Sequence, residues 1–159
     1  MSTRDEVISA LLDRIRALCV TENIQVVRNY TDSLEVESAI YVGDVTGDIE
    51  LHGAAAQPYQ WRDAFTVPLA VQITDPDSDP DVLAARCGHI IDLVVFAVSS
   101  AWDNNDPRTA LVEPGTDGPI TVDGPSPVHY TPKSRWLAIA LIDVPFARHL
   151  YPTDQEISP

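Results

Sequence analysis

Trp61-Arg62-Asp63-Ala64-Phe65-Thr66-Val67-Pro68-Leu69-Ala70-Val71-Gln72-Ile73-Thr74 decides how this chain folds. Its odd positions are apolar apart from Asp63 and its even positions are polar or small, the period-two pattern of a strand with one buried face. An acidic bend follows, Asp75-Pro76-Asp77-Ser78-Asp79-Pro80, and then Leu83, Cys87, Ile90, Ile91, Val94 and Val98 recur at helical spacing. Asp79 suits an N-cap and Pro80 a first helical position, so a helix is predicted from about Pro80 to Val98. The helix supplies an apolar face that can cover the strand.

Two features of this strand and helix predict more than a core. Pro68 lacks the N–H of a ladder hydrogen bond, which implies an edge position or a bulge. Val82, Leu93 and Phe96, with Ala85 and His89 nearby, form a second stripe on the far side of the helix. A helix apolar on two sides is buried on two sides, here by another part of the chain or by a partner.

Upstream, Thr3-Arg4-Asp5-Glu6 has the form of a capping box. Val7, Ile8, Leu11, Leu12, Ile15, Leu18 and Cys19 then make one apolar stripe, predicting an amphipathic helix over about Arg4 to Cys19. Short β-prone segments follow at Ile24–Arg28, Val36–Val45 and Asp48–His52, with Asp44-Val45-Thr46-Gly47-Asp48 reading as a hairpin turn. Gly53–Gln60 reads as a loop. Residues 103–132 are proline-rich and read as irregular, with hints of extended structure only at Leu111-Val112 and Pro119–Val122. Trp136–Val144 is strongly apolar, a strand expected to be central and covered on both faces. Tyr151–Pro159 reads as a frayed tail. The sum is one α+β domain over residues 1–159: a mostly antiparallel sheet covered on one face by two helices.

The 159 residues carry a net charge of −14. That excess disfavours binding to nucleic-acid phosphates or to an anionic membrane. No run approaches the ~18 apolar residues of a membrane span, and the N-terminus carries no charged-then-apolar signal, so a soluble, intracellular product is expected. Cys19 and Cys87 lie on the apolar helix faces and read as buried free thiols rather than a disulfide.

The sequence holds little that points to catalytic chemistry. Asp75, Asp77, Asp79 and Asp81 resemble the start of a calcium loop, but the sixth and twelfth positions are Pro80 and Arg86 instead of glycine and glutamate. His52, His89, His129 and His149 share no metal-ligand spacing. No nucleophile elbow or phosphate loop occurs. Asp63 with Asp143 is a conceivable acid–base pair. No catalytic residue, metal ligand or cofactor is assigned.

The element order, Arg62-Asp63-Ala64-Phe65-Thr66-Val67-Pro68-Leu69-Ala70-Val71, the acidic bend, the helix with Asp81-Val82-Leu83-Ala84-Ala85-Arg86 and the closing apolar strand together resemble the tail terminator proteins of long-tailed, siphovirus-type bacteriophages. The resemblance implies a non-enzymatic virion protein, assembled in the host cytoplasm into a ring, usually of six copies. Such a ring caps the tail tube, ends its growth and receives the head's connector or head-completion protein, while DNA passes through unbound. The physical reading adds candidate residues: Pro68, Val82, His89, Leu93 and Phe96 for contacts between subunits. Gln57 and Tyr59 in one loop, and Asp103, Asn105, Asp106 and Asp117 in another, are candidates for tube or connector contacts. A head-completion stopper, a tail-tube subunit, or a small acidic hydrolase or ligand-binding domain are the competing readings.

Overall fold

The computed structural model of the protein describes residues 4–29, 38–52, 60–74, 79–99, 112–114, 119–130 and 135–150. The elements run α1 (Arg4–Leu18), β1 (Gln25–Val27), β2 (Ala39–Val42), β3 (Thr46–His52), β4 (Gln60–Thr74), α2 (Pro80–Ser99), β5 (Val112–Pro114), β6 (Thr121–Tyr130) and β7 (Arg135–Leu150). Among the described residues the strands form one seven-stranded sheet, antiparallel except for the β1–β2 pair, in the α+β class expected from the sequence. The Thr3 cap, residues 75–78 of the acidic bend and the tail 151–159 lie outside the described residues.

Helix ends follow local chemistry. Asp79 Oδ1 accepts a hydrogen bond from the Val82 amide at 2.9 Å, capping α2 as its sequence predicts. At the other end Arg14 of α1 donates to the Ala97 carbonyl at 3.1 Å, placing a cation on the acceptors that a helix C-terminus leaves over. α2 lies across β4 and β7, and α1 packs on α2.

The two long strands pair along nearly their whole length, with Val67 opposite Val144. That register puts Phe65, Val67, Leu69, Val71 and Ile73 on the same side as Ala138, Ala140, Ile142, Val144 and Phe146, all buried with the inner faces of both helices. The small Ala138 and Ala140 are fully buried on this side, which leaves room for a helix to approach the sheet closely.

The structure decides four expectations. Of the two alternatives for Pro68, an edge or a bulge, it takes the bulge: β4 is flanked by β2 and β3 on one side and by β7 on the other. Pro68 is tolerated because of a break in the neighbouring line. Val42 pairs with Leu69 and Thr46 with Thr66, so four steps on one chain span three on the other, a one-residue bulge. Gly43 N–H donates to the Pro68 carbonyl at 2.8 Å. In an antiparallel strand the amide of the same residue faces the same side, so the missing Pro68 donor falls at the bulge.

Second, Asp44–Asp48 is not a hairpin turn. β2 and β3 both pair with β4, end to end, and Thr46–Asp48 already belongs to the ladder. Gly47 has φ +147°, and a Cβ there would sit 2.1 Å from the Ala64 carbonyl oxygen. The glycine marks a close backbone approach, which local sequence cannot tell from a turn.

Third, the irregular region contains β5 and the ten-residue β6, both pairing with β7. β6 escapes pattern reading because Gly124, Pro125 and Pro127 break its alternation; its ladder shifts between Asp123 and Ser126. Prolines are compatible with it because, among the described residues, β6 pairs with β7 alone.

Fourth, β7 is central, but among the described residues its second face is only partly covered: Leu137 and Ala147 are buried there while its middle is open. Both helices pack on the side of Ile142 and Val144, and on the other side Leu141 is 47 % exposed.

Candidate assembly surface

On α2, Val82, His89 and Phe96 are seven residues apart, two turns, and so lie on one meridian, with Leu93 about 40° to one side and Ala85 about 40° to the other. Val82 is 53 % and Phe96 62 % exposed, and Leu93 is half-buried against the core. His89 is exposed and its Nε2 lies 3.4 Å from Glu22 Oε1. Arg86 borders the stripe and donates to the Glu22 carbonyl at 3.0 Å; Asp92, exposed, borders the other flank. The stripe expected from the sequence is therefore one continuous outward-facing line, and its two largest apolar ends are left to solvent.

This stripe also explains the composition of α2. Its most apolar 18 residues have a mean hydropathy of 1.8, so by length and composition it reaches the range of a membrane-crossing helix, contrary to the sequence expectation that no segment does. The inner face is core: Leu83, Cys87, Ile90, Ile91, Val94, Ala97 and Val98 are buried. High hydropathy here reflects one face packed in the fold and a second face that is apolar and open.

Pro68 does not join the α2 stripe. As an even residue of β4 it lies on the sheet face away from the helices, where it pairs with Asp143. That face holds what the sequence reading missed. Leu141 is 47 % and Val128 42 % exposed, Ile139 and Pro145 are half-buried, and Leu141 is paired with the small Ala70. Asp123 is paired with Leu141 across the ladder and Asp143 lies two residues along β7, both exposed. The signal was in the sequence: in Leu137–Leu141 the larger side chains alternate with alanines, and only the covered side needed the alanines. The loop candidates Gln57, Tyr59, Asp103, Asn105, Asp106 and Asp117 lie outside the described residues.

The conceivable acid–base pair is not assembled. Asp63 is fully buried on the helix side of β4, whereas Asp143 is exposed on the other face, five positions along the same ladder. Asp63 is held instead by Arg4 from the first turn of α1: Nε lies 3.1 Å from Oδ1 and 2.9 Å from Oδ2, and Nη2 is 2.5 Å from Oδ1. The Arg4 guanidinium also sits 5.2 Å over the Phe65 ring, which stacks on Phe146 at 5.5 Å. Its hydrogen bonds to Asp63 push the Arg4 pKa further up, against the opposing effect of burial. The pair is a tie between the N-terminal helix and the long strand, with no carboxylate face left for substrate.

Cys19 and Cys87 are free and buried, as their places on the helices predict. Burial raises the Cys19 thiol, with Glu22 adding to the effect, and pushes Cys87 up to about 11, so neither is a poised nucleophile. A groove of about 410 Å³ opens between the end of α1 and β1, lined by Arg16, Cys19, Val20, Asn23, Ile24, Gln25 and Val26. Its one cation is already engaged: Arg16 donates to the Val26 carbonyl from Nε and Nη2 and to Asp13 from Nη1. Among the described residues β1 pairs with β2 alone, and Arg16 occupies the Val26 carbonyl. Among the described residues no group of three or more His, Cys, Asp or Glu side chains gathers to hold a metal. No family model and no curated protein matches the chain.

Proposed function

We propose that this protein is a structural ring subunit of a phage tail, of the tail terminator type, and not an enzyme. Copies assemble, in the host cytoplasm, into a ring, usually a hexamer, at the head-proximal end of the tail tube. There the ring ends tube growth and receives the head-completion or connector protein. The observation that carries this reading is the outward stripe of α2, Val82 53 % and Phe96 62 % exposed, on a helix whose other face already fills the core. A lone soluble subunit gains nothing from exposing it, whereas a subunit of a ring buries it. The element order resembles the terminators and supports the specific assignment over a generic oligomer. The charge of −14 fits a passage for DNA, because an acidic lumen repels phosphate and offers no counterions to release.

Electron microscopy and solution mass of the purified protein, alone and with tail tubes, test the reading. Discrete rings that cap tube ends and do not polymerise are expected. Extended tubes assign it to a tube subunit, and a strict monomer that never binds tubes overturns the assignment.

A further inference from the structure

We draw no further inference here: the strongest candidate, the open apolar middle of the β7 face around Leu141, on the side of the sheet away from both helices, carries nothing because nothing in the structure shows what covers it.

Discussion

Replacing Arg4 by methionine isolates the link between the first helical turn and the long strand. Asp63 is fully buried, and Arg4, 29 % exposed in its side chain, reaches it through both Nε and Nη2. Removing one partner of a buried pair is worth about 3–5 kcal/mol, because the remaining charge keeps its desolvation cost. Two corrections bring the figure down. Arg4 is a cation at a helix N-terminus, where it opposes the dipole by about 0.3–1 kcal/mol, and that cost disappears with it. Methionine also retains apolar cover for Phe65. A loss of about 2–3 kcal/mol is expected. Asp63→Asn should cost less, about 1–2 kcal/mol, because Arg4 can turn its guanidinium toward water whereas Asp63 has no route to solvent. The double variant Arg4→Met/Asp63→Leu, with no charge left in the core, should recover most of the loss. Urea unfolding followed by circular dichroism measures all four chains; at about 2–4 °C per kcal/mol for a domain of this size, Arg4→Met should lower Tm by roughly 4–12 °C. Equal losses for the two single variants, or a double variant as unstable as their sum, would refute the reasoning.

Two glycines should respond with opposite signs. Gly47→Ala forces a Cβ to within 2.1 Å of the Ala64 carbonyl at φ +147° and should destabilise by more than about 3 kcal/mol or abolish folding. Gly88→Ala, inside α2 with nothing within 4 Å of the new Cβ, should stabilise by roughly 0.5–1 kcal/mol; thermal melts of the two variants check both. The Cys87 thiol, pushed from 9.0 up to about 11 by burial, binds its proton more tightly in the folded than in the unfolded chain. Its contribution is therefore full below about pH 9 and is lost as pH rises toward 11, by roughly 2–3 kcal/mol at most. Cys87→Ala should flatten stability measured between pH 8 and 11; an unchanged slope would show that other groups dominate.

Elements whose evidence is local were legible in the sequence. The stripe from Val7 to Cys19 and the series from Leu83 to Val98 report helices because neighbours at helical spacing share a face whatever surrounds them. Asp79 before Pro80 fixes the start of α2 for the same reason, its side chain bonding an amide three residues on. Beyond the extended hint at Pro119–Val122, residues 123–130 were not legible, because their strand exists by pairing with β7 and its prolines erase any alternation. The candidate surface was half legible: the Val82–Phe96 line follows from helical geometry, whereas the side that Leu141 takes was marked only by the alternation of larger residues with Ala138 and Ala140 inside a run that is apolar throughout.

By itself, then, the sequence determined which side chains travel together: the odd face of β4, the two faces of α2, the buried thiols. The tertiary structure alone decided what those faces meet. It put Pro68 opposite a bulge in the middle of a sheet, joined Arg4 to Asp63 across 59 residues of chain, and placed both helices on one side of β7. The physical reason is that periodicity is a property of one segment. Register and coverage arise from pairings between distant segments, where the hydrogen-bond ladder and the packed core, and not local preference, select the arrangement.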